Sequence, residues 1–348
     1  MKIEELADIL VSLVRIPSFS REEGAAADAL EAALRAKGFD LHRSGNNVWM
    51  ESELRSDKPT LMLNAHIDTV KPVPGWTCDP FGAERDGDII RGLGTNDDGG
   101  SIVALLGAYC ELSSRTQPYR LVYSVTAEEE VCGAGGIQTI MDEVGPVALA
   151  IVGEPTGMRL AVAERGLLVL DCKSAGVSGH AAREEGVNAI YNALPDIDWF
   201  RNYRFDKVSE YLGPVKMSVT MIQAGTQHNV VPDSCSFVVD VRPNGMYTNR
   251  QIVDEICSHV SCEVKPRSMK HNSSHIEASH PVVRRAVGMG MDTFGSPTTS
   301  NQTVLECTSV KIGPGDSSRS HTADEYIRIS EINDAVGIYV ELLDGLQL

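Results

Sequence analysis

The chain has 348 residues, 42% of them hydrophobic and 23% charged, enough to bury one large domain or two of ordinary size. Its formal charge of −17 sets an acidic surface against nucleic acid and against anionic lipid, so neither is expected as a partner. The 8 cysteines are scattered without a CxxC pair, which reads as reduced, buried thiols rather than a disulfide frame or a thiolate zinc site.

In chain order, Ile3, Leu6, Ile9, Leu10, Leu13 and Val14 recur at helical spacing with acids between them. That is the pattern of an amphipathic surface helix rather than a secretory leader. No apolar run is long enough to span a bilayer, so a cytoplasmic location is expected. Residues 24–37 are rich in Ala and Leu and predict a second helix ending near Gly38. Residues 60–65 (TLMLNA), 119–125 (YRLVYSV) and 147–152 (VALAIV) are short apolar strands, and 99–112 is a helix with glycines at its start. Strands without polar alternation are covered on both faces. Their alternation with helices predicts an α/β sheet of largely parallel character.

Beyond about residue 160 the pattern changes. Residues 161–176 alternate as one strand, and 184–203 read as helix up to Pro195. Residues 215–223 and 234–242 have the period-two pattern of strands, and 249–260 is a helix on which Cys257 and Cys262 read as near-core positions. Together these predict a small antiparallel sheet with two helices on one face. A helix at 281–294, a strand in TSVKIG and an amphipathic helix over 330–345 restore the α/β alternation of the N-terminal part. The expected organisation is an α/β domain built from residues 1–163 and 277–348, interrupted by an inserted α+β domain at 164–276.

Four apolar strands each run into residues able to bind metal. LMLNA leads into His66-Ile67-Asp68, LVYSV into Glu128-Glu129-Glu130, ALAIV into Glu154, and SVKIG into a glycine-rich loop and His321. Ligands of open α/β sheets bind beyond the carboxyl ends of the strands, so these side chains converge on one crevice. Asp97 stands in Gly92-Leu93-Gly94-Thr95-Asn96-Asp97-Asp98-Gly99-Gly100, just before a helix, and faces the same edge. Histidines with carboxylates, and no sulfur, suit catalytic zinc and tolerate cobalt or manganese. A pair of metals needs a bridging carboxylate, for which Asp97 and Asp98 compete. A glutamate left off the metal can take and return a proton, and the Glu128–Glu130 run offers one. Adjacent side chains of an extended segment point to opposite sides. Glu129 and Glu130 therefore divide their duties only through a turn that the sequence leaves open.

His66-x-Asp68, Gly-x-x-Asp97, Thr-Ala-x-Glu129-Glu130, Gly-Glu154-Pro-Thr and the Gly313-Pro-Gly-Asp…His321 ending, in that order across nearly the whole chain, resemble the M20 peptidase and deacylase family. The resemblance implies a zinc-aminopeptidase-like mixed sheet with helices on both faces, and a ferredoxin-like insert serving as lid and dimerisation domain. It implies two zinc ions as cofactor: His66 and Glu154 on one, Glu130 and His321 on the other, with Asp97 bridging. Glu129 becomes the general base, and Asp68 orients His66 from behind. The Asp97–Asp98 peptide is expected to be cis. Many members carry Lys where this chain has Gly99, a departure that alters local charge but no ligand.

Within the insert, Ser178-Gly179-His180-Ala181-Ala182-Arg183 resembles the family's lid segment. In dimeric relatives its histidine reaches the partner subunit's active site and donates to the oxyanion, so a homodimer through the lid is the expected assembly. Asn229 in QHNVVPD and Arg242 in VVDVRP match positions that hold the substrate's carboxylate or carbonyl. Plainer readings stand beside these: His180 as a surface histidine, Asn229 as a turn residue, and Arg242 paired with Asp240 or Asp233.

The reaction so implied is hydrolysis of the amide of an N-acyl amino acid, a small-molecule substrate. The GLGTND and GEPT segments are most similar to deacylases of arginine synthesis acting on N-acetylornithine or on N-acetyl- or N-succinylcitrulline. Succinyl-diaminopimelate desuccinylases and di- or tripeptidases are the neighbouring expectations. An inactive metal-binding homologue is the non-enzymatic alternative; loss of Glu129 or of a ligand would mark it, and all are present.

Overall fold

The computed structural model describes residues 1–52, 57–183 and 185–348. They divide into two compact units: Met1–Val162 with His275–Phe294 and Ser300–Leu348, and Ala163–Ser274 with Gly295–Thr299.

In the first unit the apolar runs form a mixed sheet. Thr60–His66 pairs in parallel with Arg120–Thr126 on one side and with Leu149–Val152 on the other. Ser309–Lys311 adds a parallel strand beyond Leu149–Val152, and Asn47–Glu51 runs antiparallel outside Arg120–Thr126. Every residue of Thr60–His66 and of Leu149–Val152 is buried, as runs without polar alternation require. The helix Gly100–Ser113 covers one face, where the Tyr123 hydroxyl donates to the Ile102 carbonyl at 3.0 Å. This helix is apolar nearly all round because Ile3–Val14 and Ile329–Leu343 pack on its outer side. On the other face, Met62, Val122 and Ala150 meet Ile137, Ile140 and Val144. No helix among the described residues is long and apolar enough to cross a membrane.

The second unit has the order strand, helix, strand, strand, helix, strand: Leu168–Ala175, Ala189–Asn202, Lys216–Ala224, Ser234–Arg242, Asn249–His259 and Glu263–Pro266. Its antiparallel sheet runs Lys216–Ala224, Ser234–Arg242, Leu168–Ala175, Glu263–Pro266 from edge to edge, the ferredoxin-like arrangement. Leu168, Leu170, Phe237, Val239 and Val241 form its core with Phe200, Ile252 and Ile256 of the helices.

Several element readings change. Residues 161–176 are two strands, Leu160–Glu164 and Leu168–Ala175. The first is wholly buried and joins the large sheet, antiparallel to Ser309–Lys311. The helix Ala189–Asn202 continues through Pro195 instead of stopping there. Pro195 lies on its exposed face, where water can take the carbonyl bond that the missing N–H leaves, while Ala193, Asp196 and Phe200 anchor the buried face. Glu184, where that helical reading begins, lies outside the described residues. The helix expected over 281–294 is only Pro281–Gly288; Gly290 turns the chain at φ +81° and Thr293–Ser296 is a strand. Among the described residues the 8 cysteines form no disulfide, but only Cys172 and Cys235 are buried; Cys257 is exposed and Cys262 lies past the end of its helix.

Candidate metal centre

His66 is the last residue of its strand, Glu129 and Glu130 follow Arg120–Thr126 in a turn, and Glu154 stands just beyond Leu149–Val152. The carboxyl ends of three neighbouring parallel strands therefore supply one edge. Asp97 sits in the turn Thr95–Gly99 that opens into the helix Gly100–Ser113, and the Asp97–Asp98 peptide is cis. The Gly313-Pro-Gly loop passes close to the Glu154 loop: a Cβ at Gly313 would lie 2.5 Å from the Glu154 carbonyl oxygen, so no side chain fits there. Gly99 is equally enclosed, its Cβ position being 2.5 Å from the Gly94 carbonyl oxygen and from Leu10. A lysine has no room in this turn.

Asp97 stands between two histidines. His66 Nε2 is 3.1 Å from its Oδ1, and His321 Nε2 is 3.7 Å from its Oδ2. Beside His66 lie Glu154 Oε1 at 3.9 Å and Glu129 Oε2 at 4.0 Å. Beside His321 lies Glu130 Oε1 at 3.0 Å. His66, Asp97 and Glu130 place donor atoms within 4.8 Å of one another, and so do His66, Glu129 and Glu154. Asp98 is engaged elsewhere: its Oδ2 accepts from the His66 amide at 3.2 Å. Glu128 adopts φ +56° and accepts the Gly135 amide at 3.3 Å. This turn is what lets Glu129 and Glu130 face different histidines.

Other buried side chains hold the loops through their backbone. Asp68 accepts the amides of Glu129 and Glu130 at 3.0 and 3.1 Å and the Ser20 hydroxyl at 2.7 Å. Its carboxylate is 3.6 Å from His66 Nδ1, whose short contact, at 2.9 Å, is to the Asp68 carbonyl. Glu23 accepts the Glu128 amide at 3.2 Å, and the Asn47 side-chain carbonyl accepts the Ala127 amide at 2.8 Å. Glu325 accepts the amides of Gly94, Asn96 and Asp97. None of Glu23, Asn47 and Glu325 stands out in the sequence. For Glu325 the one available signal is its place four residues after His321.

Burial pushes the carboxyls of Glu129 and Glu154 well above the usual range, and the neighbouring carboxylates add to the effect. Burial would draw the His66 imidazole down, but Asp68 and Asp97 outweigh it and hold it well above its ordinary value. The hydrogen bond to Glu130 raises His321 to about 8. Two imidazoles and four carboxylates crowded in this way fit divalent cations, whose charge relieves the repulsion. The donor set is nitrogen and oxygen without sulfur, as zinc, cobalt and manganese accept.

His180, Asn229 and Arg242 belong to the second unit. Gly179–His180 pairs with Val230–Val231 in a two-stranded ribbon, and the Ala181 amide donates to the Asn229 carbonyl at 3.1 Å, so His180 and Asn229 are neighbours. Both are exposed, and His180 Nδ1 accepts the Ala182 amide at 3.1 Å. Arg242 is forked onto Asp240, Nε to Oδ1 at 2.8 Å and Nη2 to Oδ2 at 3.1 Å.

Known proteins share this arrangement of elements. The model of peptidase family M20/M25/M40 matches residues 62–345. Succinyl-diaminopimelate desuccinylase 2 of Ruegeria sp. (strain TM1040) is 27% identical, over 97% of this chain and 93% of its own. A succinyl-diaminopimelate desuccinylase of Dinoroseobacter shibae is 26% identical over 96% and 97% of the two chains. Among solved structures, aminopeptidase PepT from Bacillus cereus superposes with a TM-score of 0.79 at 18% identity, covering 99% of both chains. The YXEP protein of Bacillus subtilis, described as a dinuclear metal binding peptidase from the M20 family, gives 0.74 at 16% identity with 99% of both chains covered. These structural likenesses show a common fold. The family match runs from the strand that ends in His66 to the C-terminal helix, and this chain belongs to peptidase family M20/M25/M40.

Proposed function

We propose that this protein is a two-metal hydrolase that cleaves the amide of an N-acyl amino acid. The observation that carries the reading is the divided carboxylate of Asp97, with one oxygen toward His66 and the other toward His321. His66 and Glu154 would hold one ion, His321 and Glu130 the other, and Asp97 both. Zinc suits these donors, with cobalt or manganese as substitutes. When bound, such ions polarise a carbonyl and acidify a water held beside them. Glu129 takes the proton of the attacking water as general base and returns it to the leaving amine as acid. Asp68 keeps Glu129 in place by accepting its backbone amide at 3.0 Å. His180 is the proposed donor to the oxyanion, and Asn229 and Arg242 the proposed contacts for the substrate's polar groups. Arg242 would have to share or leave Asp240 to act so.

The proposed assembly is a homodimer through the second unit. Lys216–Ala224 leaves the edge of its sheet open, with Met221 and Ile222 each 55% exposed. Tyr191 (70% exposed) and Leu194 (52%) extend this apolar surface on the helix that packs against the strand.

The names of the 26–27% identical relatives favour a succinyl group, whereas the GLGTND and GEPT segments favour ornithine or citrulline as the amino acid. A substrate panel decides: metal-loaded protein with N-acetylornithine, N-acetylcitrulline, N-succinylcitrulline, N-succinyl-diaminopimelate and dipeptides, compared by kcat/KM. At least one N-acyl amino acid should be hydrolysed faster than any dipeptide. Hydrolysis of dipeptides alone would reassign the protein as a peptidase, and inertness toward the whole panel would overturn the reading.

A further inference from the structure

Glu325 is a buried carboxylate that the hydrolytic scheme leaves unused. It is 2% exposed, and both its oxygens are occupied by backbone. Oε2 accepts the Gly94 amide at 3.1 Å, and Oε1 accepts the amides of Asn96 and Asp97 at 2.8 and 2.9 Å. The Glu325 carbonyl also accepts the Gly92 amide at 2.9 Å. All these amides belong to residues 92–97, which lead into and enter the turn that carries Asp97. That turn is not a regular helix: Asp97 has φ −124° and ψ 91°, and Asp98 φ −126° and ψ 23°. Its buried amides therefore need partners outside a helical ladder.

Glu325 also closes the segment that begins at His321. Asp324 fastens this segment by accepting the amide and the hydroxyl of Thr77, both at 2.8 Å. One five-residue stretch thus carries a candidate ligand, His321, and the group that holds the loop of another, Asp97. The two ligands face each other at 3.7 Å.

We propose that Glu325 is the positioning residue of the metal centre: by accepting the amides of Gly94, Asn96 and Asp97, it fixes the Asp97 carboxylate between His66 and His321, where one side chain serves both ligand clusters. The inference rests on the two-metal reading. Replacing Glu325 with Gln keeps acceptors for Asn96 and Asp97 but sets an N–H against the Gly94 amide. Replacing it with Ala leaves three buried amides unpaired.

The test is calorimetric titration of the metal-free full chain with zinc or cobalt, together with Tm measured with and without metal, for wild type, Glu325→Gln and Glu325→Ala. Wild type should bind two ions per chain. Glu325→Gln should bind them about 10-fold more weakly and Glu325→Ala up to about 100-fold more weakly, the range set by outer groups that orient metal ligands. The metal-induced rise in Tm should shrink in step, while the metal-free Tm of Glu325→Gln falls by a few degrees at most, from the unpaired Gly94 amide. Unchanged affinity in the variants overturns the inference, and Glu325→Gln decides alone if Glu325→Ala does not fold. An equal fall in Tm with and without metal, at unchanged affinity, also overturns it, because Glu325 then only supports the fold. A wild-type chain that binds no metal overturns the two-metal reading instead.

Discussion

In the first unit, Asp97, Glu129 and Glu130 sit on loops whose amides are held by the buried carboxylates of Asp68 and Glu325. In the second unit, His180 and Asn229 stand exposed on a short ribbon, and Arg242 is satisfied by its own Asp240. The first arrangement is set for its ligand before the ligand arrives, because folding has already fixed the donor atoms. Under the proposed function, a substrate or a second copy of the chain would give the exposed His180 and Asn229 their partners and would compete with Asp240 for Arg242. Preorganisation of this kind is where most electrostatic stabilisation of a reaction resides. Damage to the first unit should therefore remove the chemistry, and damage to the second should weaken it by degrees.

Chelation tests the contrast most severely. Dialysis against EDTA should abolish hydrolysis and lower Tm, and added zinc or cobalt should restore both; activity that survives chelation would show that the clustered donors do not serve a metal. Next in size is Glu129→Gln. It should reduce kcat by about 1,000-fold, within the span of a lost general base, while bound metal measured by elemental analysis stays at the wild-type level. A smaller loss is expected for His180→Ala: about 100-fold in kcat with metal content unchanged. Wild-type kinetics there would leave His180 a surface histidine and confine the chemistry to the first unit. The smallest effect on the fold is expected for Ile222→Glu on the open edge strand. Sedimentation should show a shift from dimer to monomer with Tm within a few degrees of wild type, as for a surface change of about 0.5 kcal/mol or less. If His180 acts across the dimer, the monomer should share the kinetic defect of His180→Ala.

Much of the candidate centre is legible in the sequence because its candidate ligands follow apolar strands. TLMLNA, YRLVYSV and VALAIV lack the polar alternation of a half-exposed strand, and the parallel pairing of Thr60–His66 with both neighbours brings the residues after them to one edge. His321 rests mainly on the family motif, since a loop with a left-handed Gly315 and the short helical turn Ser317–Arg319 separates it from the strand Ser309–Lys311. The different directions of Glu129 and Glu130 depend on the positive φ of Glu128, which no local pattern announces. Glu23, Asn47 and Glu325 stay hidden for a related reason. They act on backbone amides far away in the chain, and any residue there offers the same amide. The alternation of 161–176 conceals a break into two strands, and Pro195 suggests a helix end that burial of Ala193 and Phe200 overrides.

The central claim is that Asp97 is shared by two ions. Elemental analysis of wild type and Asp97→Ala after equilibrium dialysis against zinc tests it directly. The account predicts two ions per wild-type chain and no more than one in the variant. Two tightly held ions in Asp97→Ala, or a fully active wild type with a single ion, would contradict it.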